Sequence, residues 1–309
     1  MKNQISSALV RFNDWRPLDF SEFAVFWIFN YAESRKAPSS LHRDKGMLRN
    51  YLIPAFGKCA LEQVNSLNIE IWFSSLKENC GISEKSCNNI LGLLQKMFND
   101  AFRWGFVASN PVALVRKFRL GERDFRFWSI DEIRQFLGYW QNHTQQPRIL
   151  IPVTLSLYTG MRRGELIALK WESINLESKL ITVKRAYCRT AKKILEMTKS
   201  KKIRHIPICA MLNCYLISIK SETFSSGYVC PPIHPDCFHK EFKKLARKAD
   251  VPVIRFHDLR HTFASNFLMG GGNIYDLQKI LGHSTIQVTE RYAHLSPGHL
   301  QGKTEVLGF

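Results

Sequence analysis

The chain has 309 residues, enough for two domains that each bury a core. Forty-four Lys and Arg against 26 Asp and Glu leave a net charge of +18, which favours nucleic acid or another anionic surface as partner. No apolar run reaches the roughly 18 residues of a membrane span, and the start, MKNQISSALVRFNDW, lacks a signal-peptide core, so a cytoplasmic protein is expected.

The eight cysteines are scattered, as reduced and mostly buried thiols would be. The stretch CPPIHPDCFH matches no common zinc spacing, so no metal is expected there. A short segment over 1–17 precedes the first helical pattern, in which Phe20, Phe23, Phe26, Trp27 and Tyr31 recur at helical period over 18–36. A second helix should start at Ser39 or Ser40 and end near Leu52, ahead of Pro54. A third covers 68–78. A fourth runs from Ser83 to Trp104 and stops at Gly105, and Asn110-Pro111 closes this block. Residues 18–114 thus read as a helical bundle domain. Its exposed cations Arg43, Lys45 and Lys85 are candidate DNA contacts, or equally a solvated face.

A Lys/Arg-rich linker over 115–127 separates this block from a mixed domain over 128–295. It reads as a plain solvated link or as a strap along a phosphate backbone. Ser129 and Glu132 form a capping box for a helix to about Tyr139. Further helices are expected over 147–158 and 161–169, split by Thr159-Gly160. Three short strands, 180–184, 193–197 and 203–206, should make one small sheet with basic turns. Helices resume over 211–218, 236–249, 258–269 and 273–281. The fold class is mostly α with a small antiparallel β-sheet, and residues 296–309 form a tail.

Chemistry gathers at four places in the second domain. Arg162 and Glu165 in TGMRRGEL sit at a helix start, where an arginine suits an anion and Glu165 would orient it; a surface ion pair is the plain alternative. His257 and Arg260 in HDLRH share a helix face, to bind one phosphate or to pair locally, whereas His261 points round toward packing or neighbouring backbone. Lys199, in MTKSKKIRHIPI, lies at the tip of a hairpin between two predicted strands. Lys201 and Lys202 beside it are solvated or touch DNA backbone. Finally LGHSTIQVTERYAHL holds His283 and Tyr292. Ser284 with Gln287 is a capping box that starts a new helix at Thr285, with Tyr292 about two turns in. Alone, that tyrosine reads as an amphipathic core residue.

Together these stretches closely resemble the tyrosine recombinase family, in particular phage and integrative-element integrases. TGMRRGEL resembles the first arginine box, HDLRHTFAS the second, and LGHSTIQVTERYAHL the box of the nucleophilic tyrosine. LIPAFGKCALEQVNSLNIEIW and NNILGLLQKMFNDAFRWGFVASNPV resemble the core-binding domain. The resemblance implies a helical core-binding domain plus a catalytic domain closing as a C-shaped clamp on duplex DNA. Tyr292 would attack the scissile phosphate and form a 3′-phosphotyrosyl link, with His257 as proton acceptor. Arg162, Arg260 and His283 would hold the phosphate, and Lys199 would protonate the leaving 5′-oxygen. No cofactor or metal is implied.

Integration or excision of a mobile element would then proceed through a Holliday junction in a homotetramer, in a bacterial host, with a DNA-bending host factor and an excisionase as accessory partners. A catalytically silent DNA-binding relative, a Xer-like resolvase and a type IB topoisomerase are the alternatives. The segment over 1–17 is too short for the arm-binding domain many integrases carry. The tail would dock on a partner protomer in trans or fray.

Overall fold

The computed structural model describes residues 19–121, 125–142, 148–196, 203–234 and 237–295. It divides into two units, 1–123 and 124–309. The division falls inside the basic linker.

In the first unit, α1 (Phe20–Trp27) passes through a π turn, Ile28–Ala32, into α2 (Glu33–Arg35). The next helix repeats the device: α3 (Pro38–Met47), a π turn over Leu48–Leu52, then α4 (Ile53–Phe56). The sequence reading ended this helix before Pro54. Instead the wide turn hands over directly to α4, with Pro54 in the first turn of that segment. Then follow α5 (Ser66–Cys80), capped by Asn65, and α6 (Glu84–Arg103), capped by Ser83. The core between them is aromatic and aliphatic, from Phe20, Phe23 and Trp27 to Leu94, Met97 and Phe98. Asp100 is buried within it and accepts hydrogen bonds from Trp27 Nε1 at 2.8 Å, Lys96 at 2.7 Å and Arg103 at 2.8 Å, so its charge is fully answered.

Arg43 and Lys85 stand exposed on this unit. Lys45 is exposed too, but its ammonium is held by Glu33 at 2.6 Å.

The second unit begins with α7 (Ile130–Gln141), whose Ser129–Glu132 capping box forms as the sequence requires. α8 (Leu150–Thr159) ends at Gly160 in the left-handed conformation (φ 62°), and α9 (Arg163–Ile167) is a short helix inside the expected 161–169. Among the described residues five strands follow: β1 (Ile174–Asn175), β2 (Leu180–Val183), β3 (Ala186–Cys188), β4 (Lys193–Leu195) and β5 (Arg204–Pro207). They make two antiparallel sheets, not one. β1, β2 and β5 pair in that order, with Ile181 opposite Ile206 and Val183 opposite Arg204. β3 pairs with β4 in a second, two-stranded sheet among the described residues. The expected hairpin around Lys199 is therefore corrected: the strands flanking it, β4 and β5, belong to different sheets, because β5 finds its hydrophobic register on β2. Lys199, Lys201 and Lys202 themselves lie outside the described residues.

Helices α10 (Ala210–Thr223), α11 (Cys237–Lys248), α12 (Asp258–Met269) and α13 (Ile274–Leu281) complete the core, and Gly282 closes α13 in the left-handed conformation at φ 65°. The last helix departs from expectation. Ser284 caps nothing: α14 is only Gln287–Glu290, starts after Ile286, and gives way to a 3-10 turn, Ala293–Leu295. Tyr292 lies between the two rather than two turns into a helix. No helix among the described residues is long and apolar enough to cross a membrane.

Candidate active site

Three elements bring arginines to one point. Arg162 caps the start of α9, Arg260 lies on α12, and Arg204 lies on β5. Arg260 is 3% exposed; its Nη1 donates to the Gly160 carbonyl at 2.7 Å and its Nη2 to the Leu281 carbonyl at 2.7 Å. Arg162 Nη1 reaches the same Leu281 carbonyl at 3.4 Å. The C-terminal end of α13, where carbonyls lack helical partners, thus gathers two guanidinium groups.

Glu165 holds the cluster from beneath. It is 2% exposed and accepts from Arg162 Nη1 at 3.0 Å, while its other oxygen takes the Arg162 backbone N–H at 2.9 Å. The sequence anticipated this pairing. It missed Arg204, whose two terminal nitrogens meet both Glu165 oxygens at 3.0 and 2.6 Å and whose Nε donates to the Ile280 carbonyl at 2.8 Å. The signal was there in part. Alternation along β5 puts Arg204 on the same inward face as Ile206, and a buried guanidinium demands a carboxylate. Burial would raise the Glu165 pKa, but the hydrogen bonds and charge of Arg204, with Arg162, outweigh it and hold the group below the usual carboxylate range.

The histidines stand around this charge. His283 follows Gly282; its Nδ1 bonds to the Thr289 hydroxyl at 2.8 Å, and Thr289 is fully buried. Burial, with Arg260, Arg162 and Arg204 nearby, pushes its pKa down to about 3. His257 is exposed, yet desolvation followed by the Arg260 charge lowers its pKa. Arg260 is itself pushed down to about 9 by burial and by Arg162, and stays charged at neutral pH. Three guanidinium groups therefore share one carboxylate, Glu165, beside imidazoles whose pKa values are lowered. An oxyanion placed there would relieve the repulsion and raise both histidine pKa values.

Tyr292 is 2% exposed, and burial raises its pKa, with Arg260 pulling the other way. Its hydroxyl does not meet His257. It lies 2.6 Å from Nδ1 of His261, the histidine expected to point into packing. Phe125 stacks on His261 with centroids 4.9 Å apart and meets Tyr292 edge-on at 5.1 Å. Sequence reasoning passed over Phe125 because it lies in the basic linker, away from every motif.

A helical unit is thus followed by a mixed unit that gathers arginines at the C-terminal end of α13, with histidines and a buried tyrosine nearby, the arrangement of an integrase-like fold. Residues 126–299 match the sequence model of the phage integrase family, more than half of the chain. This protein belongs to that family. The integrase of Escherichia phage 186 is 33% identical over 223 residues, which is 71% of this chain and 59% of that protein. The match thus spans less than two thirds of that relative's length. The XerC-like tyrosine recombinase of Caldanaerobacter subterraneus subsp. tengcongensis is 26% identical over 95% of this chain and 84% of its own length. Among solved structures, the integrase of transposon Tn1549 in complex with transposon right end DNA superposes with a TM-score of 0.78 at 20% identity, over 94% of this chain and 100% of that one. At that identity the likeness establishes the fold.

Proposed function

We propose that this chain is a site-specific DNA recombinase that cuts and rejoins duplex DNA through a 3′-phosphotyrosyl intermediate. The observation that carries the reading is the convergence of Arg162 and Arg260 on the Leu281 carbonyl, beside His283 and within reach of the field of Tyr292. A phosphodiester entering there exchanges one carbonyl for two charged non-bridging oxygens, a stronger acceptor for both guanidinium groups. Their charge offsets what builds up in the pentavalent transition state.

Tyr292 Oη attacks phosphorus and the bond from phosphorus to the 5′-oxygen breaks. The phenol proton passes to His257, and Lys199 protonates the departing 5′-oxygen. His283 keeps Nδ1 on Thr289 and offers its other nitrogen to the phosphate. The phosphotyrosyl link conserves the bond energy, so the 5′-hydroxyl of a partner strand reverses the step without a high-energy cofactor. Two such exchanges in a homotetramer, with a Holliday junction between them, integrate or excise a mobile element inside a bacterial cell. Relatives named as the integrase of Escherichia phage 186 and the ICEBs1 integrase of Bacillus subtilis support that job. A XerC-like relative keeps dimer resolution as the second reading.

The test is a nicked duplex built from the ends of the element that carries the gene, resolved on a denaturing gel. The wild-type chain should trap a covalent adduct, in EDTA as well as without it, and Tyr292→Phe should trap none. An adduct with Tyr292→Phe, or a strict metal requirement, sinks the reading.

A further inference from the structure

His261 has no part in the mechanism above, yet it holds the atom that should react. It follows Arg260 on α12, so its side chain leaves the helix about 100° round from the guanidinium, toward the turn that carries Tyr292. Both partners of the 2.6 Å contact are buried, His261 at 7% and Tyr292 at 2% exposure. Among the described residues no other hydrogen bond reaches the Tyr292 hydroxyl, and a buried phenol proton needs an acceptor. The phenol therefore donates to Nδ1, and the imidazole is neutral with its proton on Nε2. Burial and the neighbouring His257 push the His261 pKa down to about 4, which fits a neutral acceptor. Phe125 closes the pair from the side, against both rings. The Arg291 guanidinium lies 5.6 Å from the centre of the Phe125 ring.

A hydroxyl buried this way cannot touch an incoming phosphorus, so attack requires that it leave. The backbone around it gives easily: α14 is a single turn, and the 3-10 turn after Tyr292 is three residues. Side chains rather than helix hold the segment, through His283 on Thr289 and His261 on Tyr292.

We infer that His261 is a positioning residue that keeps Tyr292 withdrawn in the DNA-free protein, the bond breaking before each strand is cut. The inference rests on Tyr292 being the nucleophile. His261→Phe keeps a ring against Phe125 but removes the acceptor; His261→Asn restores an acceptor close to the place of Nδ1. In the free full-length chain, hydrogen exchange across 286–295 should rise about fivefold in His261→Phe, the shift expected from one lost hydrogen bond, and return toward wild type in His261→Asn. In a single turnover on the nicked duplex, His261→Phe should form adduct about fivefold faster, because less of the tyrosine starts withdrawn.

Exchange that is unchanged, or that rises throughout 124–309, overturns the inference. So does adduct formation tenfold slower in His261→Phe, which would make His261 a proton acceptor. If the wild-type chain traps no adduct while the exchange pattern holds, the recombinase reading has failed and the bond is structural only.

Discussion

A buried guanidinium has to be matched atom by atom, and Arg204 is: two nitrogens on Glu165 and one on the Ile280 carbonyl. Its work is internal. By fixing Glu165 it fixes Arg162, and by gripping the end of α13 it fixes the carbonyl on which Arg162 and Arg260 meet. Arg204→Met would leave a buried carboxylate with Arg162 alone and should destabilise the second unit by about 3–5 kcal/mol, a drop of roughly 6–20 °C in its thermal midpoint. Glu165→Leu combined with Arg204→Met should recover much of that, since no buried charge is then left unpaired; calorimetry on the three variants decides it. His283 gives the pH dependence. Its pKa falls from an ordinary 6.5 to about 3 in the fold. Between those values the unfolded chain binds a proton that the folded one refuses, so stability is intact above about pH 6.5 and is lost progressively on acidification. His283→Gln should lose less stability than wild type between pH 6.5 and 4, read by thermal melts across that range. The sequence showed His283 and Arg162 through their motifs. It did not show Arg204, because its strand pattern says inward while only the tertiary fold says toward which carboxylate.

At the scale of elements, most helix caps were legible from residues within four positions of one another. Ser83, Ser129 and Asn273 all cap as their sequences require. Ser284 did not, though its spacing to Gln287 is that of a capping box. The residues after it go instead to a non-local tie, Thr289 on His283, and the helix begins three residues later. The two serine and asparagine positions therefore part company on substitution. Asn273→Ala should cost about 1 kcal/mol, because the Tyr275 N–H loses its acceptor at 2.7 Å. Ser284→Ala should fall within about 0.5 kcal/mol of wild type. Chemical denaturation of the pair checks the contrast; an equal loss at Ser284 would mean that the capped helix forms in solution. The π turns at Ile28–Ala32 and Leu48–Leu52 had no signal that period-3.6 reading could register, since one extra residue per helix shifts the apolar face without abolishing it. The mispaired strands have a similar cause: which of two short basic strands pairs with β2 depends on a non-local register.

Across the whole molecule the net charge of +18 was plain from composition, but where it is displayed was not. The linker reads as a solvated link or as a strap; in the structure part of it is anchored. Asn88 takes the Phe118 backbone in both directions, accepting its N–H at 2.9 Å and donating to its carbonyl at 2.8 Å, and the Phe118 ring stacks on Phe73 at 4.7 Å. Arg116, Lys117 and Arg119 are exposed on either side of that anchor. Cations carried on a tethered backbone lose less freedom on meeting a phosphate than cations on a free strand. If the linker tracks a DNA backbone, as the recombinase reading holds, each of the three releases counterions on binding. Changing all three to Ser should then flatten the dependence of log affinity on log salt by about 0.9 per contact, roughly 2.7 in all, with little change in preference between the element's own ends and unrelated duplex. Filter binding of both duplexes from 50 to 200 mM salt would measure it. A slope that stays at the wild-type value would place the linker cations away from the DNA and return the strap to an ordinary solvated link.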